Sequence, residues 1–122
     1  MAEHNDFGKE AENLAAAFLQ GKGYEILARN YYFQKAEIDI IAKFEDKIII
    51  VEVKARNFKA LVQPYEAVDK AKRQRLVLAA NAFMEERDYT EEVRFDIISV
   101  TADNAGEIRL RHIESAFDAT DV

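Results

Sequence analysis

Asp39 and Glu52 stand inside two strongly apolar stretches, AEIDIIA and IIIVEVKAR, where a charge needs a reason to be. Glu37 lies two residues before the aspartate and Lys54 two residues after the glutamate. Side chains in a strand alternate with period two, so each of these pairs shares a face. Only Lys43, Phe44, Glu45, Asp46 and Lys47 separate the stretches, which predicts an antiparallel hairpin. A turn centred on Glu45 and Asp46 sets Asp39 opposite Glu52 and Glu37 opposite Lys54. Opposed residues project to one side, with Cβ atoms roughly 5 Å apart.

Two carboxylates at that separation repel unless a cation lies between them. A hard divalent ion such as Mg²⁺ takes oxygen ligands and keeps several waters, so two carboxylates suffice to hold it. Lys54 beside them could orient a water or offset charge building on a phosphate. The same spacing also fits a cross-strand ladder in which Glu37 pairs with Lys54 and the two carboxylates are tolerated at the sheet rim.

These residues need elements to position them. Residues 6–20 read as a helix, with Ala11, Leu14, Ala15 and Phe18 at spacings of three and four and with Gly21 and Gly23 at its exit. Glu12 shares a helix side with Ala15, Ala16 and Leu19, an odd place for a solvated charge; contact with the helix N-terminus is the other account. Strands are predicted over Tyr24–Tyr32, at an edge, then Ala36–Lys43 and Lys47–Lys54. Pro64 suits a first helical turn, and Tyr65–Glu86 reads as a second helix with Val68, Ala71, Leu76, Ala79, Ala80 and Phe83 inward. Arg94–Thr101 is a strand, Asp103–Gly106 a turn and Glu107–Ile113 a last strand. The order α-β-β-β-α-β-β predicts an α/β or α+β domain.

The chain has 122 residues, 14.0 kDa, 49% hydrophobic and 33% charged, which describes one soluble globular domain. No apolar run approaches the roughly 20 residues of a membrane span, and the first twenty residues lack the pattern of a secretory signal. No cysteine removes disulfides and thiolate sites, and two histidines, His4 and His112, make a histidine-built zinc site improbable. The expectation is a cytoplasmic protein with no membrane partner. The net charge of −6 conceals a segregation: residues 54–75 hold seven basic against two acidic side chains. Lys70, Lys72, Arg73 and Arg75 are the candidate phosphate-facing residues there, the alternative being an ordinary solvated helix face.

Smaller features complete the reading. Tyr31, Tyr32 and Phe33, flanked by Arg29 and Lys35, are expected to pack a strand end on the first helix, stacking on unpaired bases being the alternative. Arg94 and Asp96 read as an exposed pair, and His112 as a satisfied structural histidine.

Asp39 followed across a turn by Glu52-Val53-Lys54 resembles the metal site of the PD-(D/E)XK nuclease superfamily. More widely, the chain resembles the YraN-like family of small bacterial proteins, similar in pattern to archaeal Holliday-junction resolvases. The resemblance rests on GKEAENLAAAFLQGKGYEILARN, AEIDIIAKFEDKIIIVEVKAR, PYEAVDKAKRQRL, RFDIISV and RHIESAF, from Gly8 to about Phe117. It implies a single restriction-endonuclease-like domain over residues 1–122 (core about 7–117), with a central mixed sheet flanked by helices. By resemblance Asp39 and Glu52 are the metal carboxylates, the Val53 carbonyl a further ligand and Lys54 the catalytic lysine. Glu12 matches an acid that such nucleases often add from the first helix, and Glu37 the first acid of the family's Glu-Ile-Asp stretch. Alanine replaces the family's usual glycine at Ala11 and Ala36, and Ile38 stands where the superfamily has a nominal proline; Ala36 would hinder a positive φ there.

The resulting expectation is Mg²⁺- or Mn²⁺-dependent hydrolysis of DNA phosphodiesters, with branched or single-stranded DNA as candidate substrates and a homodimer as the working form. Two alternatives remain open: a non-catalytic nucleic-acid or partner-binding module that retains the metal site, and an unrelated small α/β domain.

Overall fold

The computed structural model describes residues 2–57 and 68–119. Helix α1 (Ala2–Gly21) is followed by strands β1 (Glu25–Phe33), β2 (Ala36–Phe44) and β3 (Lys47–Asn57). Helix α2 (Lys70–Glu86) then leads to β4 (Glu92–Ala102) and β5 (Ile108–Phe117). One five-stranded mixed sheet has the order β1-β2-β3-β4-β5, parallel only between β3 and β4. The α-β-β-β-α-β-β order and the mixed sheet between helices agree with the sequence expectation.

Helix α1 buries Ala11, Ala15 and Leu19, one turn apart, with Ile40, Ile49, Val51, Ile98 and Val100 in the same cluster. Alanine at two of those turns lets the helix axis lie close to the sheet. The chain leaves α1 through Gly23 at φ +93, so the left-handed residue is the second of the two exit glycines. On the other face, α2 buries Leu76, Ala79, Ala80 and Phe83 with Ile38, Ile41, Ile48, Ile50 and Ile97. With a helix layer on each face, the run Ile48–Val51 is buried on both, as expected of a strand next to a parallel neighbour.

Helix α2 begins later than the proline signal suggests. Asp69 is its N-cap, accepting the Lys72 amide at 2.8 Å, a cap worth about 0.5–2 kcal/mol. Val68 and Asp69 therefore precede the helix, and the part of the forecast over residues 64–67 lies outside the described residues. Strands β3, β4 and β5 run several residues further than their patterns suggested. Ala36 lies inside β2 and is not among the positive-φ residues, so this backbone makes no demand for glycine there. Tyr31 meets Phe83 of α2 edge-on, 5.3 Å between centroids, and donates its hydroxyl to Glu86 at 2.7 Å. The strand end thus packs on the second helix, not the first.

Candidate metal and phosphodiester site

The β2–β3 ladder follows the register expected from the turn, from Phe44–Lys47 up to Ile40–Val51, and then stops. Glu45, at φ +57, supplies the left-handed turn residue. At the next position Asp39 substitutes its side chain for the missing ladder bond, its Oδ2 accepting the Val53 amide at 2.8 Å. Ile38 and Ile40, two residues apart, belong to opposite core clusters, so β2 loses its regular alternation at Asp39. Strand β3 does not deviate, because β4 pairs with it in parallel through Glu52–Ile97 and Lys54–Ser99. One strand turns aside while the other is braced, and a pocket of about 190 Å³ opens between them. Asp39, Glu52, Glu37, Lys35, Lys72 and Arg75 are in its lining.

Glu12, Glu37 and Asp39 offer carboxylate oxygens that lie within 4.8 Å of one another. Asn30 joins the first two, its Nδ2 donating to Glu12 at 3.1 Å and to Glu37 at 2.9 Å. Asn30 has φ +52 inside β1, a conformation that asparagine tolerates better than most residues. Arg29 adds a 3.8 Å ion pair to Glu12. The Asp39 carboxyl is pushed up to about 8, chiefly by burial and then by the Glu52 charge; the Val53 amide opposes this, and Glu12 and Glu37 add to it.

Glu52 is 5% exposed, and a single carboxylate oxygen receives two ammonium groups. Lys54 lies 3.2 Å from Oε2, and Lys72 reaches the same atom from α2. Burial lowers the Lys54 pKa, with Glu52 opposing and the Lys72 ammonium assisting. For Lys72 burial also pulls downward, but the bond to Glu52 outweighs it and the pKa rises. Of the two, Lys54 holds its proton less tightly.

The structure therefore gathers Glu12, Glu37 and Asp39 into one carboxylate cluster, while Glu52, held by Lys54 and Lys72, lines the same pocket as Glu37 and Asp39 but lies outside that cluster. It departs from the expected arrangement in one respect: Glu37 bonds Asn30, and Lys54 pairs with Glu52 of its own strand, so the Glu37–Lys54 ladder does not form. The four basic candidates also separate. Lys72 and Arg75 line the pocket, Arg75 at its exposed rim, and Arg73 lays its guanidinium 6.0 Å over the Phe117 ring; Lys70 is exposed. Sequence reasoning missed Asn30 as a site residue, and it placed Lys72 on a phosphate-facing surface without foreseeing its contact with Glu52. An asparagine among β-formers was a readable signal for the first. The second depends on how α2 lies across β3 and had none.

Asp96 is a further difference, outside this site. It is 1% exposed, where an exposed pair with Arg94 was expected. Arg94 donates to both its oxygens at 2.9 and 2.8 Å and also donates to the Tyr24 hydroxyl at 2.7 Å. His112 Nε2 lies 2.7 Å from Asp96 Oδ2, and the Ser115 amide donates to Oδ1 at 3.0 Å. His112 is structural, as expected.

The donors suit a divalent cation: oxygen only, several carboxylates within a few ångströms, and a buried aspartate crowded by like charge.

Residues 11–100 match the family described as Uncharacterised protein family UPF0102. UPF0102 protein FP2501 of Flavobacterium psychrophilum is 50% identical over 117 residues, covering 96% of this chain and 98% of that protein. A UPF0102 protein of Bacteroides thetaiotaomicron is 47% identical over 117 residues, 96% of each chain. UPF0102 protein HRM2_30940 of Desulforapulum autotrophicum is 42% identical over 111 residues, 90% of this chain and 91% of that protein.

Proposed function

Because the chain belongs to the UPF0102 family, the YraN-like, PD-(D/E)XK-like group that its motifs resemble, we propose that it is a divalent-metal-dependent nuclease acting on DNA phosphodiesters. The observation that carries this reading is the meeting of Glu12, Glu37 and Asp39 beside Glu52 and Lys54 at the parting of β2 from β3. Asp39 and Glu52, with the Val53 carbonyl, would hold Mg²⁺ or Mn²⁺, and Glu12 and Glu37 would complete the acidic wall. When bound, such an ion supplies charge neutralisation at phosphorus and acidifies a coordinated water. Lys54 orients the attacking water and offsets charge on the phosphate. Asn30 holds Glu12 and Glu37 toward each other. Lys72 keeps the buried Glu52 charge compensated.

Titration with Mn²⁺ is expected to show binding in the wild type and a loss of at least about tenfold in affinity in Asp39→Asn. Equal binding by the two proteins would overturn the assignment. Asp39 also costs the metal-free fold stability as pH rises from about 4 toward 8, because its folded pKa lies above the unfolded one. In chelator at pH 8 the Asn variant should therefore melt no lower than the wild type.

DNA binding is expected to be weak and salt-sensitive. Lys70 and Arg75 are the informative positions, since Lys72 and Arg73 have structural partners. Reversing both charges should reduce the slope of log affinity against log salt by about two on duplex DNA, roughly 0.9 per phosphate contact. An unchanged slope excludes this surface. A homodimer would supply two sites for a two-stranded branched substrate, a mass that sedimentation reads directly.

A second reading, a binding module without turnover, is favoured by one observation: Lys54 and Lys72 already occupy one Glu52 oxygen. Mn²⁺ binding with no cleavage of a four-way junction, a flap, duplex or single-stranded DNA would establish it.

Among the described residues no helix is long and apolar enough to cross a membrane.

A further inference from the structure

A second groove, of about 250 Å³, adjoins the carboxylate pocket and shares Lys35, Ala36 and Arg75 with it. Phe33, at the end of β1, and Leu78, on α2, form its apolar walls, and Gln34 completes the lining. Leu78 is 55% exposed, a large apolar side chain left in the open beside a polar site. Lys35 and Arg75 are the charged residues that line this groove, and among the described residues neither forms an ion pair. Past Leu78 the surface continues over Ala82 to Glu85 and Glu86, where the charge reverses.

These features specify an occupant. Apolar walls with an aromatic ring take a flat apolar body, and the two cations at the shared rim take an anion attached to it. A nucleotide has both, and its next phosphate would then lie at the carboxylate pocket. A base inside a duplex has both faces covered by its neighbours, so only an unpaired base can present one to Phe33 and Leu78. The acidic end at Glu85 and Glu86 repels a backbone that runs on along α2, which limits the groove to about one base.

We propose that this groove holds an unpaired nucleobase of single-stranded DNA, so that the strand is unpaired on the α2 side of the phosphate at the carboxylate pocket. The proposal rests on that pocket being a phosphodiester site and specifies its substrate as DNA with a single-stranded segment.

The test is fluorescence anisotropy in EDTA, where no cleavage occurs, with one labelled oligonucleotide as a single strand and as a blunt duplex. The wild type should bind the single strand about tenfold more tightly, and Leu78→Ser should lose about that factor, as expected for one stacked base. Leu78→Ser removes an exposed side chain without adding charge, and a melting curve checks its fold. A single strand carrying 5-iodouracil, irradiated on the wild type, should crosslink at Phe33. Equal affinity for the two DNA forms, or crosslinks confined to other residues, would overturn the proposal, as would a groove filled by a peptide or a second copy of the chain. Cleavage with Mn²⁺ is scored separately. Cleavage without single-strand preference removes the groove and leaves the nuclease. Single-strand preference without cleavage removes the nuclease and retains the base site.

Discussion

Lys54→Ala is expected to reduce metal-dependent cleavage by about 10²–10³-fold, the usual effect of deleting one preorganised electrostatic contact to a transition state. Mn²⁺ affinity and DNA affinity in EDTA should change little, because an interaction made only in the transition state lowers turnover without weakening the ground state. The structure strengthens the prediction in two ways. Lys54 is not engaged with Glu37, so its loss breaks no cross-strand ladder. Glu52 also retains Lys72, so its buried charge is not left alone. Burial lowers the Lys54 pKa from that of an ordinary lysine, with the Glu52 charge opposing. Cleavage of a labelled four-way junction, a flap and single-stranded DNA, wild type beside variant, decides the matter. Equal rates would refute the catalytic role.

The second large effect is on stability and lies away from the pocket. Asp96→Asn removes the carboxylate that Arg94, His112 and the Ser115 amide share. Burial alone would raise the Asp96 carboxyl, but the bonds from His112 and Arg94 outweigh it and hold it below the ordinary aspartate value. Arg94 keeps only the half-exposed Glu114, 3.7 Å away, and the Tyr24 hydroxyl, so the loss of its buried partner should cost about 3 kcal/mol, the lower end for a broken buried pair. That is a large part of the 5–15 kcal/mol typical of a domain, and it should lower the melting temperature by more than about 10 °C. The pH dependence has a definite sign. A depressed folded pKa contributes stability above the unfolded value of about 3.9, and that stability is lost as pH falls through the folded pKa. The advantage of the wild type over Asp96→Asn should shrink as the pH falls below about 4. Chemical denaturation across that range measures it. A difference that persists undiminished in acid would show that the carboxylate charge is not the cause.

What could be read beforehand follows from how local each cause is. Isoleucine-rich runs and a short separation define a hairpin within twenty residues, so its register was legible. The proximity of Asp39 to Glu52 followed from that register. The end of the ladder did not, because it depends on β4 bracing β3 while β2 turns aside, and no spacing within the hairpin encodes that. Pro64 drew the start of α2 too early; Asp69, with its side chain on the Lys72 amide, was the better signal. Alternation put Arg94 and Asp96 on one side of β4, which is correct. Their burial depends on Tyr24 and His112, 70 residues from Arg94 and 16 from Asp96. Lys72 was assigned to DNA on charge alone, and only the packing of α2 shows it at Glu52.

The single parallel joint in the sheet has a consequence for the order of assembly. Strand β3 reaches β2 across a tight turn, but reaches β4 only after α2 and its connections have closed a much longer loop. Loop closure is costly before the contacts it permits can repay it, so pairings between residues near in sequence form first. Asp39 and Glu52 can therefore come together early, within the hairpin, when Lys72 and the β4 brace are still distant. Three of the four carboxylates, those of Glu37, Asp39 and Glu52, are local to the hairpin, while Lys72, one of the two ammonium groups at Glu52, is not. Closing the long crossover is thus the folding step that neutralises the charge crowded at Glu52, and the rate of that step, not of the hairpin, governs when the pocket exists.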